Sequence, residues 1–347
     1  MLMNNQLNQK YKDLVEKLQN STKILITMSA PDGDSFGSAL ALYNEFTKMG
    51  KEVVVQSSFE IPKYLKFIPL LNYLVIGDIG QVEFSKFDMV VIVDAGDPKR
   101  VVKYSLYPDG FEFPNGTYVV VFDHHLTHVD QFAQIDIIDH TYSSTCELVV
   151  EFFEESKIDY DSDSATLLFV GIYTDTGGFI HSNATSKVFN VASRVLAKGA
   201  QKELIMLNLE KTQSSGSMLL SASVLKTMEI IDEDGFSYVI MRMDKDIAND
   251  YSMDEIEDAM NVLKSKPGFI RNVENTDFGI LISQNKEVVG VSFRARTEKY
   301  DLSKICERFG GGGHKNACAF KSRENIDDLI ELLKQQIKII LSEEINF

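Results

Sequence analysis

Two aspartates one residue apart, Asp32 and Asp34, stand in "ITMSAPDGDSFGSALAL", between an apolar run and a segment of small residues. Further along, Asp94 and Asp97 follow "MVVIV", Asp123, His124 and His125 follow "TYVVVF", and Asp175 closes "LLFVGIYTD". Carboxylates and imidazoles in this number suit one chemistry in particular, a pair of divalent cations acting on a phosphate ester. One carboxylate bridges the ions, others complete each shell, and open positions admit water and a phosphoryl oxygen. A donor set rich in carboxylate with a little imidazole favours Mn²⁺ or Mg²⁺ over a zinc–thiolate site. Taken singly, each aspartate is a turn residue or helix N-cap, and a lone histidine is structural. Their recurrence at the ends of three apolar runs points to one shared site.

The elements that must position these residues follow from the pattern around them. "KILITM" (23–28), "KEVVVQSS", "FDMVVIVDAGDPKR" and "TYVVVFDHHLTH" are strands, nearly all apolar until their last residues. Helical spacing covers residues 8–19, and "SALALYNEFTKMG" is a helix stopped by Gly50. Continuous apolar strands alternating with helices predict a mainly parallel sheet covered on both faces. Ligands of such sheets bind beyond the carboxyl ends of the strands, where the aspartates fall. Further helices are expected at 143–156, 164–179 and 186–200. Residues 203–227 are helical but more polar, and "QSSGS" there is a hinge signal. Beyond it, "FSYVIMRM", "DFGILISQN" and "EVVGVSFRAR" are strands, and "IDDLIELLKQQIKIILSEEI" is a long amphipathic helix. The organisation expected is a first α/β domain at 1–202, a linker at 203–227 and a smaller α/β domain at 228–347.

Bulk properties narrow the partners. The chain has 347 residues, 44% of them hydrophobic, enough for two cores. With 35 Lys+Arg against 51 Asp+Glu, the net charge of −16 argues against long nucleic acids, whose capture rests on many phosphate contacts. A small anionic ligand remains compatible if metal ions or a local basic cluster attract it. Cys146, Cys306 and Cys318 lie far apart without a CxxC, so neither a disulfide framework nor a zinc knuckle is expected. The N-terminus lacks the apolar stretch of a signal peptide, and no apolar run reaches membrane-spanning length. A soluble, cytoplasmic protein is expected.

"APDGDSFGSALAL", "VVIVDAGD", "FDHHLTH" with "SSTCELV" behind it, "GIYTDTGGF" and "RFGGGGHKNACAF" occur in an order that resembles the DHH/DHHA1-family phosphoesterases. The branch of nano-RNases and pAp phosphatases is the nearest in kind, with cyclic- and linear-dinucleotide phosphodiesterases beside it. The resemblance spans nearly the whole chain and implies an N-terminal DHH catalytic domain followed by a DHHA1 substrate-binding domain. It implies that Asp94 bridges two metals, that Asp32 serves one of them, and that Asp34, His124 and Asp175 complete the other. His125 would then contact the scissile phosphate or support the attacking water, with Asp123 orienting an imidazole. Ser144 joins the substrate-binding set. Asp97 is expected to be an N-cap or surface residue, and His128 and His140 are expected to be structural.

Two departures from the family pattern stand out. The position three before the proline of "PDGD" is a metal-ligating histidine in the family, and here it is Met28. A thioether is a poor ligand for hard cations. The first metal site is therefore expected to be weak; the alternatives are another side chain or water in its place, or a protein that works with one metal or none. After Asp175, Ile180 replaces an arginine of the family pattern, and His181 beside it is a candidate stand-in.

"FGGGGHKNACAF" strings four glycines before His314. Such a run lets backbone N–H groups approach an anion closely, although a flexible turn explains it as often. The family resemblance makes Gly311, Gly312, Gly313 and His314 a substrate loop. Arg294 and Arg296 alternate along a strand and share one face, so both can reach one phosphate. Lys315 is expected to be solvated. Together these features predict an enzyme, a Mn²⁺-dependent phosphodiesterase or phosphatase with two metal sites, Mg²⁺ being a substitute ion. Its substrates would be short oligoribonucleotides, linear dinucleotides such as pApA, or pAp, with cyclic dinucleotide turnover in the same range. A catalytically weakened nucleotide-binding protein is the alternative. A manganese pyrophosphatase is disfavoured by the "GGGGHKNA" loop, and a processive nuclease of the RecJ kind by chain length and charge. The helix at 143–156 and the interdomain helix are candidate surfaces for a homodimer.

Overall fold

The Val- and Ile-rich runs fold as expected, and burial on both faces is what such runs require. A computed structural model describes residues 2–345 apart from 30, 126–131, 211–213, 234, 266–269, 286–287, 296 and 298. Arg296 and His128 therefore lie outside the described residues. The chain divides into two compact units, Met1–Thr212 and Gln213–Phe347, a division inside the segment 203–227.

In the first unit α1 (Leu2–Gln19) leads into β1 (Lys23–Met28), α2 (Gly33–Lys48), β2 (Glu52–Ser57) and the short β3 (Leu74–Ile76). Then come β4 (Met89–Val93), β5 (Val119–Asp123), β6 (Ile135–Ile138), α3 (Thr145–Glu155), α4 (Ser162–Asp175), α5 (Ser186–Ala197) and α6 (Lys202–Glu210). The six strands are ordered β3-β2-β1-β4-β5-β6 and every pairing is parallel. From β1 the chain builds outward to one side and then returns to build β4, β5 and β6 on the other. The β1/β4 boundary is thus the point where strand order reverses, and crevices open there at the carboxyl ends.

The two faces of this sheet are covered differently. Ile24, Ile26, Met28, Val91, Val93, Val120 and Phe122 pack with residues of the helices. The alternate residues Leu25, Val90, Ile92, Val119 and Val121 instead pack with Ile79, Phe84 and Val101, from short 3₁₀ turns, and with Phe111. Helices α2 and α4 approach closely because glycines line their seam. A Cβ on Gly37 would stand 2.5 Å from the Leu167 carbonyl oxygen, and one on Gly171 would meet the Cys146 sulfur.

The second unit holds α7 (Ser215–Leu225), β7 (Glu229–Glu233), β8 (Phe236–Met243), α8 (Lys245–Ala248), α9 (Met253–Ser265), β9 (Phe278–Asn285) and β10 (Val288–Ala295). It ends with α10 (Ser303–Arg308), β11 (Gly312–His314), β12 (Ala317–Ser322) and α11 (Ile326–Ile345). Its mixed sheet is ordered β11-β12-β10-β9-β8-β7, with β8 and β9 parallel and the other pairs antiparallel. Leu329, Leu333, Ile337 and Leu341 form the buried stripe of α11 against Tyr238, Ile240, Phe278 and Ile280. Val239, Met241 and Leu281 face Leu220 of α7 and Leu263 of α9 on the other side.

Several boundaries differ from expectation for local reasons. Helix α2 starts at Gly33 rather than near residue 38, because Asp32 caps it. Asp34 is therefore a residue of the first helical turn. Helix α4 ends at Asp175, short of residue 179, where Gly177 and Gly178 take φ of 57° and 69° and break the helical path. The stretch 203–227 is two helices, α6 and α7. Short or edge elements, β3, β6, β7 and β11, carry too few residues for a clear period in sequence.

Candidate active site

Asp34 is fully buried beneath the N-terminus of α3. Thr145 N–H donates to its Oδ2 at 2.7 Å and Cys146 N–H to its Oδ1 at 2.8 Å. The first amides of a helix have no partner within it and carry partial positive charge, so they suit a carboxylate. Ser144 caps that helix; its buried Oγ accepts from Glu147 N–H at 3.1 Å. The Ser144 side chain thus serves α3 directly, and through α3 it fixes the amides that hold Asp34.

Asp94 follows β4 with φ of 58°, a left-handed backbone that aspartate tolerates better than most side chains. Its Oδ2 accepts from Ser29 Oγ at 2.9 Å and Ser35 Oγ at 2.7 Å. Its Oδ1 stands 3.7 Å from His124 Nε2 and 3.5 Å from His125 Nδ1. Asp123, the buried last residue of β5, accepts at Oδ1 from His125 Nδ1 at 2.7 Å, which fixes the ring and assigns that nitrogen its proton. The Asp34, Asp94 and Asp175 carboxyls are all held above their ordinary pKa, by burial first. Asp175 and Asp94 push Asp34 further, and Asp175 adds to Asp94.

His124 is the hub. Its Nε2 lies 3.2 Å from Asp175 Oδ2, 3.7 Å from Asp94 Oδ1 and 3.8 Å from Asp34 Oδ2. Yet this buried nitrogen makes no hydrogen bond of sound geometry. Burial opposes charge on the ring, but the contact with Asp175 and the charges of Asp34 and Asp94 outweigh it and push the pKa up to about 9. Without a metal the ring is therefore protonated near neutrality, and a cation held among the three carboxylates would take the place of that proton. Two donor sets emerge, Asp94–His124–His125 and Asp34–His124–Asp175, with ligand atoms in each within 4.8 Å of one another. These residues fit a divalent metal of the hard or borderline class.

Asp32 stands outside both sets; it caps α2 through its Oδ1, which accepts from Ser35 N–H at 2.9 Å. Its carboxyl is nevertheless raised by burial and by Asp94, so it shares the field of the cluster. Asp97 caps a 3₁₀ turn, accepting from Lys99 N–H at 2.9 Å. Met28 is wholly buried in the core. His181 is exposed, with its ring against Gly177 and Nδ1 3.4 Å from the Asp175 carbonyl oxygen. Ile180 and His140 are exposed. Sequence reasoning missed Ser29, Ser35 and Thr145, since hydroxyls flanking a carboxylate motif carry no spacing of their own. It also missed Tyr64, a half-exposed residue whose hydroxyl is raised by burial and by the charges of Asp32 and Asp175.

In the second unit the glycine run is part of a hairpin. Cβ atoms on Gly311 and Gly313 would collide with the β12 backbone, the latter 2.6 Å from the Ala317 carbonyl oxygen, so packing alone requires both glycines. Gly312 has open space where its Cβ would be, and His314 and Lys315 are exposed. Arg294 on β10 is half-buried and donates from Nη1 to the Phe293 carbonyl at 2.8 Å. Its pKa is lowered, by burial first and with a contribution from Arg271, and Lys264 is lowered by burial and by Arg294. Lys264 and Arg271 thus extend the basic cluster beyond what strand alternation suggests.

Fold and site together define a two-unit α/β protein with an acidic and imidazole centre at the switch point of a parallel sheet. Residues 23–172 match the DHH family, N-terminal domain, and residues 235–339 match the DHHA1 domain. The chain belongs to the DHH/DHHA1 family. It is 27% identical to the bifunctional oligoribonuclease and PAP phosphatase NrnA of Thermus thermophilus, over 82% of this chain and 79% of that one. It is 25% identical to the probable bifunctional oligoribonuclease and PAP phosphatase NrnA of Streptococcus mutans, over 94% of this chain and 99% of that one. Among solved structures, an exopolyphosphatase-related protein from Bacteroides fragilis has the same fold, with TM-score 0.76 and 23% identity over 95% of this chain and 96% of that one.

Proposed function

We propose that this protein is a metal-dependent phosphoesterase acting on short oligoribonucleotides, linear dinucleotides of the pApA type, or pAp. The observation that carries this reading is the buried His124 Nε2 facing three carboxylates without a hydrogen bond. The names of the Thermus and Streptococcus relatives supply the substrate class. In this reading Asp34, His124 and Asp175 would hold one cation. Asp94 and Asp32 would serve a second, and Mn²⁺ would be the preferred ion. Divalent cations so placed would lower the pKa of bound water and neutralise charge on the phosphoryl oxygens.

The chain's own residues do the rest. The α3 amides and the Ser29 and Ser35 hydroxyls hold Asp34 and Asp94 rigid, so the donors need no rearrangement. Asp123 holds His125 by Nδ1, leaving Nε2 to meet a phosphoryl oxygen or the attacking water. Arg294, Gly312 and His314 would supply a phosphate-binding surface on the second unit. Hydrolysis converts a phosphodiester into a phosphomonoester and a hydroxyl, or the 3′-phosphate of pAp into inorganic phosphate and a hydroxyl, with water giving its oxygen to phosphorus and a proton to the leaving oxygen. A cytoplasmic setting and homodimerisation belong to the same reading.

The test is incubation with Mn²⁺ and pApA, a short RNA or pAp. Mononucleotide or phosphate release well above an Asp94→Ala control is expected, and equal release would refute the enzymatic reading. Burial of Met28 in place of an imidazole favours one rival, a nucleotide-binding protein with weakened catalysis. Tight binding of pApA without turnover across Mn²⁺, Mg²⁺ and Co²⁺ would select it.

A further inference from the structure

We propose that Cys306 and Cys318 are an oxidisable dithiol whose disulfide staples the glycine-rich hairpin of the second unit. Eleven residues separate them in sequence, yet their sulfurs are 2.6 Å apart, and both side chains are buried, 0% and 2% exposed. A disulfide needs a separation of about 2.05 Å, so only a small movement joins them. The pair bridges two elements, Cys306 on α10 and Cys318 on β12.

What lies between them gives the pair its consequence. The intervening segment contains Gly310, Gly311, Gly312, Gly313 and His314. Gly313 is the register partner of Cys318 across β11 and β12, and Gly311 N–H donates to the Cys306 carbonyl at 2.8 Å. The Cys318 thiol donates to the Leu302 carbonyl oxygen at 3.1 Å, anchoring it to the residue that precedes α10. A bond between the sulfurs closes a ring around the glycines. The contact with the Cys318 thiol, and then burial, hold the Cys306 thiol well above its ordinary pKa, which Arg294 only partly offsets, so the case for the bond rests on the closeness of the sulfurs. Cys146, by contrast, has its sulfur under Asp34 in the other unit and no thiol partner among the described residues.

The oxidant is a small peroxide, which reaches buried thiols more readily than a bulky disulfide does. One thiolate attacks a peroxide oxygen and becomes a sulfenic acid, and the hydroxide expelled takes up that thiol's proton to leave as water. The second thiolate then displaces hydroxide from that sulfur, and with its proton this leaves as a second water. In sum, two thiols and hydrogen peroxide give one disulfide and two waters. A cysteine pair of this kind in a reducing compartment is transient and responsive rather than a permanent brace.

The full-length protein is treated with hydrogen peroxide, quenched, unfolded in an alkylating agent and digested for mass spectrometry. A peptide pair linked through Cys306 and Cys318, two mass units below the dithiol and reversed by dithiothreitol, is expected, with Cys146 alkylated. Hydrogen exchange at Gly310–His314 should slow severalfold in the oxidised form and recover on reduction. Alkylation of all three cysteines after treatment, sulfinic acid at either position without a link, or unchanged exchange in the linked protein would overturn the proposal. None of these readouts depends on a nucleotide substrate or a metal, so the outcome is separate from that of the proposed activity. Cys318→Ser should abolish the link, and the wild-type measurement stands even if that variant folds poorly.

Discussion

Replacing Asp175 with asparagine should move the stability of the first unit in opposite directions with and without metal. Asp175 and Asp34 offer oxygens within 4.8 Å of each other. At an effective dielectric constant of about 20, two full charges at that distance repel by roughly 3 kcal/mol. His124, 3.2 Å from Asp175, returns part of that energy. The net sign follows from Asp175 itself, whose carboxyl is raised by burial first and then by Asp32, more than His124 lowers it. Folding therefore disfavours its ionised form, and asparagine, neutral and of the same shape, escapes the penalty. The metal-free variant should be more stable by about 1–2 kcal/mol at neutral to mildly alkaline pH, or roughly 2–8 °C in Tm for a unit of this size.

Manganese should reverse the order. At about one hundred times Kd, a cation bound only by the native state adds about 2.7 kcal/mol, roughly 5–10 °C in Tm. Wild type should gain this and Asp175→Asn only a small part of it, having lost an anionic donor. Thermal unfolding of both proteins in EDTA and in saturating Mn²⁺ is the assay. A variant less stable than wild type in EDTA, or one that gains as much from Mn²⁺, would refute the inference that these carboxylates converge to hold a cation.

Three further outcomes are expected. Met28→His should tighten Mn²⁺ binding by at least about tenfold, or 1.4 kcal/mol, measured by calorimetry; unchanged affinity would show that position 28 cannot reach the ion. Gly171→Ala should cost about 1–3 kcal/mol in denaturant unfolding, because its Cβ would press on the Cys146 sulfur and stand 2.8 Å from Asp34 Oδ1. Asp161 caps α4, accepts from Lys48 Nζ at 2.5 Å, and is held below its ordinary pKa by that lysine against the effect of burial. A depressed carboxyl stabilises above its unfolded pKa, so Asp161→Asn should cost up to about 1 kcal/mol near neutrality. That deficit should begin to shrink as pH falls through the unfolded pKa of about 4 and vanish below the lower folded pKa, where both states bind the proton; a pH-independent deficit would contradict it.

Much of the site was legible in the sequence because strand geometry is local. A buried parallel strand must be an apolar run, and the polar residue that ends it must lie at the carboxyl edge of the sheet. This is why Asp94 and the Asp123–His124–His125 run could be assigned to one rim, and why residues 236–243 and 326–345 gave a strand and a helix with the bounds observed. The family motifs carried the order of the two domains as well.

What only the tertiary structure decided is which oxygens face which nitrogens. That the α3 amides cradle Asp34, that two serines occupy one oxygen of Asp94, and that His124 has three carboxylates and no bond all depend on contacts across 30 to 112 residues. The cysteines make the same point most sharply. No spacing rule pairs Cys306 with Cys318, because one sits on a helix and the other on a strand, and only the packing of α10 against β12 joins their sulfurs. Sequence sets local conformation and the side of an element that is buried. The distances on which chemistry depends are fixed by how the buried sides lock together.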